Sequence, residues 1–206
     1  KAYTNMVAVL LLYALQFGRV RRVTLATGKR MIEAMKEIPQ KMQEILEQSE
    51  SIKLIAHKYA SSKHFFFLGR GINFPTALEG SLKLKEITYI HSEAYPGGEM
   101  KHGALALIDE SFPTVVVMTK NQLYDKMRSN VEEVRARKGK VILIATKGDL
   151  SARELAEDVI YVPETMELLE PLLNHLPLQL FAYHVAMALG RDVDRPRNLA
   201  KSVTVE

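Results

Sequence analysis

The chain has 206 residues, 47% of them hydrophobic and 25% charged, with a formal net charge of +4. That length supports one large domain or a domain and a half around a sizeable core, and the composition is that of an ordinary globular protein. No cysteine is present, which excludes disulfides, thiolate nucleophiles and cysteine-ligated zinc within the chain.

Three helical segments come first: about Thr4 to Gly18, Gly28 to Gln48 and Ile52 to Ala60. The chain starts inside the first of these with no Met and no lead-in, as a piece of a longer protein would. The longest apolar run, Met6 to Leu15, is too short to span a bilayer, so no membrane partner is expected. Gly18-Arg19-Val20-Arg21-Arg22 is the one short basic cluster. Without a broad basic stripe and stacking aromatics it reads as a solvated helix end, and no nucleic-acid partner is expected. Pro39 is expected to end or kink the second helix.

The period then changes. "HFFFLG" (His64 to Gly69) is a short apolar run closed by glycine, the pattern of a strand buried on both faces. A helix follows over about Pro75 to Ile90. "TVVVM" (Thr114 to Met118) is the next strand, with a helix from Gln122 to Arg137. "KVILIAT" (Lys140 to Thr146) and "DVIYV" (Asp158 to Val162) are two more strands. A long apolar helix spans about Glu167 to Leu189, starting near Pro171 or crossing Pro177 with a kink; the tail after it is irregular. Continuous apolar strands alternating with helices predict a doubly wound parallel α/β sheet. Ligands on such sheets bind at the carboxyl ends of the strands, where Gly69-Arg70-Gly71 falls. That glycine pair either serves a ligand or only permits a tight strand-to-helix turn.

The helix after the first strand carries Glu79, Lys83 and Glu86. With Glu79 at zero and about 100° per residue, Lys83 falls at about 40° and Glu86 at about −20°. Leu78, Leu82 and Tyr89 flank this stripe on one side and Ile87 on the other, while Ser81, Lys85 and Thr88 lie opposite. The wheel thus puts the charges in the middle of an apolar arc, which should face the core. Buried charges must be paired or must neutralise. Two explanations stay open: a Glu79–Lys83 pair that locks the helix to its neighbours, or a stripe in which Lys83 and Glu86 face a ligand. Glu79 itself reads as structural. His91 reads as a satisfied histidine near the helix end. His102, in "YPGGEMKHG", reads either as an ordinary exposed loop histidine or as a functional one. No spacing suggests a metal site, a nucleophile elbow or a Walker A loop, so neither metal nor cofactor is expected.

"LEGSLKLKEITYIHSEAYPGGEMKHGALALID" (Leu78 to Asp109) and "DRPRNLAKSVTVE" (Asp194 to Glu206) closely resemble the isomerase module of the glutamine–fructose-6-phosphate aminotransferase family, the glucosamine-6-phosphate synthases. The resemblance runs over essentially the whole chain. It implies a three-layer αβα sugar-isomerase (SIS) domain with a parallel, flavodoxin-like sheet, preceded by helices. Residues 1–25 would be the terminal helix of a preceding SIS subdomain, 26–60 connecting helices, 61–190 the second SIS subdomain and 191–206 a catalytic C-terminal tail.

The chemistry it implies converts fructose 6-phosphate, with ammonia from glutamine, into glucosamine 6-phosphate. By motif, Lys201 would form a Schiff base with the sugar carbonyl, and the adjoining Ala200 would touch the sugar. Glu86 would move a proton between C1 and C2, with Lys83 assisting. His102 would help to open the sugar ring from the neighbouring subunit, which implies a homodimer. The residues agree in part: an aldose–ketose rearrangement needs a carboxylate over adjacent carbons and a cation nearby. A Schiff-base lysine needs desolvation or a cationic neighbour, and Leu199, Ala200 and Val203 flank Lys201 in sequence; without the resemblance Lys201 reads as an ordinary tail lysine. The family's glutaminase domain and the Ser/Thr-rich phosphate loop of its first SIS subdomain have no counterpart here. The chain alone is therefore expected to be inactive or very weak, within a cytoplasmic enzyme. A non-catalytic phosphosugar-binding SIS module and a simple phosphosugar isomerase remain the other readings, and neither has a use for Lys201.

Overall fold

The computed structural model describes residues 2–199. It opens with α1 (Ala2–Arg21), α2 (Leu25–Leu46) and α3 (Ser49–Tyr59). Thr24 caps α2: its hydroxyl accepts a hydrogen bond from the Thr27 N–H at 3.1 Å, satisfying one of the donors that a helix start leaves free. Pro39 lies inside α2, so the helix does not end there. No described helix is long and apolar enough to cross a membrane.

The sheet follows: β1 (His64–Gly69), α4 (Asn73–Thr88), β2 (His91–Pro96), β3 (Thr114–Met118), α5 (Tyr124–Arg135), β4 (Val141–Thr146), the short α6 (Ala152–Leu155), β5 (Asp158–Val162) and α7 (Glu170–Ala188). All strand pairs are parallel and their order is β2-β1-β3-β4-β5, the flavodoxin-like arrangement that was expected. Alternate side chains of each strand enter opposite cores. Phe65 and Phe67 join α2, α3, α4 and α7 on one face, while Phe66 and Leu68 join Met127, Val131 and Val134 of α5 on the other. Burial on both faces is why these strands read as unbroken apolar runs.

The sequence reading passed over β2. "HSEAYP" is polar and carries no apolar run, and β2 pairs only with β1 at one edge of the sheet. Its register, His64 opposite His91 through Gly69 opposite Pro96, is set by β1. His91 therefore opens an edge strand, with Nε2 3.5 Å from the Glu93 carboxylate, rather than closing a helix.

The helical wheel also needs correction. Ser81 and Thr88, assigned to a polar side, are 2% and 1% exposed, whereas Leu78 and Leu82, assigned to the core, are 45% and 42% exposed. The buried face of α4 is built mostly from small residues, Thr76, Ala77, Gly80, Ser81 and Thr88, with Leu84 the large apolar side chain among them. A side chain on Gly80 would meet Leu178 of α7 and Phe67 of β1 at 2.7 and 3.1 Å, so the face is chosen for close approach rather than for apolar area. The Ser81 and Thr88 hydroxyls find partners close by, whereas Thr76 Oγ1 has none among the described residues. Thr88 Oγ1 donates to the Leu84 carbonyl at 2.7 Å, and Ser92 Oγ donates to the Ser81 carbonyl at 2.8 Å.

Candidate functional site

The carboxyl edge of the sheet is where a ligand is first sought. The chain turns from β1 into α4 through Gly69-Arg70-Gly71. A side chain on Gly69 would collide with the Asn73 carbonyl at 2.3 Å, and Gly71 has φ +52°. The glycines are accounted for by this turn alone.

At the switch point between β1 and β3 the crevice is filled from within. Glu170, at the start of α7, is buried there and its Oε2 accepts from Asn73 Nδ2 (2.7 Å), Thr119 Oγ1 (2.8 Å) and Asn121 Nδ2 (3.0 Å). Asn174 Nδ2 in turn donates to Asn73 Oδ1 at 2.9 Å. Sequence reasoning missed this cluster, because α4, the loop after β3 and α7 meet only in the fold. Truncation by Glu170→Ala strands three donors and is expected to lower stability by about 2 kcal/mol in urea unfolding.

The titratable stripe lies elsewhere. Asn73 starts α4 at the carboxyl edge and Glu86 is thirteen residues on, about 20 Å along the axis towards the amino edge. There Lys83 Nζ donates to Glu86 Oε2 at 2.5 Å and stands 3.9 Å from Glu79 Oε1. Lys83 and Glu86 are partly exposed and Glu79 is the most enclosed of the three, its side chain 13% exposed. Burial pushes the Glu79 carboxyl above its ordinary value; the Glu86 charge pushes the same way, and Lys83 opposes both. No described residue hydrogen-bonds Glu86 Oε1, so one carboxylate oxygen is held by Lys83 and the other is available. Such an arrangement can shuttle a proton at Oε1 while an ammonium beside it meets an oxygen that gains charge.

His102 closes the 3-10 segment Gly97–His102 that follows the carboxyl end of β2. Its ring is exposed, 3.7 Å from the Glu99 carboxylate. The structure thus brings Lys83 and Glu86 together and puts His102 at the other end of the sheet, since β2 runs back from the amino edge. Lys201 and Ala200 lie outside the described residues. The segment leading to them is held at the end of α4: the Arg197 N–H donates to the Tyr89 hydroxyl at 2.8 Å.

Residues 58–189 match the SIS domain family. Across its whole length the chain is 56% identical to a glutamine–fructose-6-phosphate aminotransferase (isomerizing) from Thermus thermophilus, and 47% identical to one from Methanosarcina acetivorans. Each match covers 34% of the relative, so the chain spans about a third of the length of these proteins. Among solved structures, the C-terminal domain of glucosamine-fructose-6-phosphate aminotransferase from Francisella tularensis is 38% identical. It matches 94% of this chain and 55% of that one with a TM-score of 0.88. The sugar isomerase domain of an RpiR transcription factor from Sphaerobacter thermophilus, at 15% identity, shares the fold alone: its TM-score is 0.64 over 77% of this chain and 93% of that one. With a doubly wound parallel sheet and a family match over most of its length, the chain belongs to the SIS domain family.

Proposed function

We propose that this chain is the C-terminal part of a glutamine–fructose-6-phosphate aminotransferase (isomerizing), and that it supplies the groups that move protons along the sugar. The observation that carries the reading is the Lys83–Glu86 pair, fixed on one face of α4 with a carboxylate oxygen to spare, in a chain 56% identical to a relative of that name. Lys201 attacks C2 of open-chain fructose 6-phosphate as the neutral amine, and the imine forms with loss of water. Ammonia then adds to C2 and expels the Lys201 amine, leaving the ketimine. From this Glu86 takes a proton at C1 and returns it to C2 while the C1 hydroxyl becomes the aldehyde. Lys83 holds the carboxylate in place and meets the oxygen charge that develops. Ala200 lies beside the sugar, and glucosamine 6-phosphate is the product once ammonia has replaced the lysine.

In this reading residues 1–25 complete a preceding SIS subdomain, 26–60 connect, 61–190 form the second subdomain and 191–206 are the catalytic tail. The exposed apolar side chains of α1, among them Leu10, Tyr13 and Phe17, support it, as do Leu78 and Leu82 beside the charged stripe. They are the faces a preceding subdomain would cover. Glu170 fills this sheet's own crevice, so the sugar phosphate is gripped by that other subdomain. His102, remote from Glu86 within one chain, serves the site of a second copy in a homodimer. The reading also puts the enzyme in the cytoplasm.

The test uses the full-length protein, fructose 6-phosphate and borohydride, with peptide mass mapping of the reduced product. The expected result is a sugar adduct on Lys201 that Lys201→Arg abolishes, with no turnover by the 206-residue chain alone. A protein that binds the sugar and gives no adduct leaves a binding module or a simple isomerase in its place.

A further inference from the structure

We propose that Tyr89 is the anchor that positions the C-terminal tail, and with it Lys201, at the Lys83–Glu86 pair; the role of Lys201 in this statement rests on the function proposed above. Tyr89 follows the last residue of α4 and stands in the left-handed region, at φ 66° and ψ 12°, with its N–H bonded to the Lys85 carbonyl. Glycine is the ordinary residue for such a helix end, and a bulky side chain there is disfavoured. What the tyrosine does that a glycine cannot is hold the tail. Its hydroxyl accepts the Arg197 N–H at 2.8 Å, and its ring centroid lies 4.1 Å from the Arg197 guanidinium and 5.3 Å from that of Arg191. Both cations are within cation–π range.

The segment between the two arginines is folded to make that return. The helix α7 closes with Gly190 at φ 64°, and Arg191 N donates back to the Ala186 carbonyl. Asp192 Oδ1 then accepts from the Asp194 and Arg195 N–H groups at 2.9 and 3.0 Å. Among the described residues Arg197 is the last one hydrogen-bonded at the end of α4, and Lys201 is four positions further on.

The reach is suitable. Four extended residues span at most about 14 Å, and Glu86 lies one turn, about 4.5 Å, back from Tyr89 along α4. Without the anchor, the chain would be tethered only at the end of α7, thirteen residues from Lys201 and so with a radius of about 45 Å. Shortening that tether raises the local concentration of the amine at the pair, with no new contact to the sugar. Tyr89 is thus a positioning residue, acting through the tail.

The experiment compares wild type with Tyr89→Gly and Tyr89→Phe. Glycine suits the left-handed backbone, so the Tyr89→Gly variant keeps the helix end while losing ring and hydroxyl. Phenylalanine keeps the ring and loses only the hydrogen-bond acceptor. Tryptic cleavage after Arg197 reads the anchor directly, since the bond after Arg195 precedes Pro196. Expected is cleavage about tenfold faster in folded Tyr89→Gly, with Tyr89→Phe between it and wild type. Equal cleavage rates in folded variants overturn the anchor.

In the full-length protein, Tyr89→Gly is expected to slow borohydride-trapped adduct formation at Lys201 while fructose 6-phosphate affinity is unchanged. A loosened tail with an undiminished rate of adduct formation overturns the positioning role and leaves the Schiff base standing. No adduct even in wild type overturns the enzyme reading and the delivery of Lys201 together, and the cleavage rates still decide whether Tyr89 holds the tail.

Discussion

Glu86→Gln in the full-length protein is expected to lower kcat for conversion of fructose 6-phosphate by about two to four orders of magnitude, the range over which a positioned general base contributes. The glutamine carbonyl still accepts a hydrogen bond from Lys83, so the contact is kept while the negative charge and the basic oxygen are lost. A side chain 28% exposed leaves the fold indifferent to the change. KM should therefore move little, which marks an interaction made in the transition state rather than in substrate binding. Steady-state kinetics with a melting curve on the same preparation separate the two. Unchanged kcat would remove Glu86 from the proton path and leave the stripe a structural one, in line with the Glu79–Lys83 lock that the sequence alone kept open.

The second large effect concerns acid stability and sits at His175. Its ring is buried in α7, with Nδ1 donating to the Pro171 carbonyl at 2.8 Å and Nε2 accepting from the Thr4 hydroxyl at 2.8 Å. Tyr3 covers it, ring centroids 5.0 Å apart, so the histidine seats α1 on α7. Burial lowers its pKa from 6.5 to about 4, against the opposing pull of the Pro171 hydrogen bond. Between those two values the unfolded chain binds the proton and the folded one does not. The stability associated with neutral His175 is hence complete above pH 6.5 and is lost as the pH falls towards 4, by about 3 kcal/mol in total. Urea unfolding at a series of pH values should show that slope in wild type and lack it in His175→Gln, the carboxylates contributing equally to both. Parallel pH profiles for the two proteins would show that protonation of His175 is not what weakens the fold in acid.

How legible all this was in the sequence depends on how local each feature is. "HFFFLG" and "TVVVM" mark β1 and β3 to the residue, because an interior strand covered on both faces must be apolar, and "DVIYV" marks the edge strand β5 because Val159, Ile160 and Val162 keep it largely apolar. The parallel α/β class follows from their alternation with helices. The edge strand β2 escaped because, unlike the other edge strand β5, it is polar over most of its length and its one buried residue is Ser92, so no apolar run marks it. The wheel of α4 failed for a related reason. Hydrophobicity ranks Leu78 and Leu82 above Gly80 and Ser81, yet at the latter pair the helix approaches β1 and α7 so closely that only small side chains fit.

The sequence by itself determined the strands, the layer architecture and the spacing that puts Lys83 and Glu86 one turn apart, since each depends on neighbours a few residues away. Only the tertiary structure decided that Glu170 closes the crevice of this sheet, that His102 and Glu86 stand at opposite ends of it, and that Arg197 returns to Tyr89. Those relations join residues from 49 to 108 positions apart, or follow from the direction in which a helix crosses the sheet. They arise from packing, which no periodicity along the chain records.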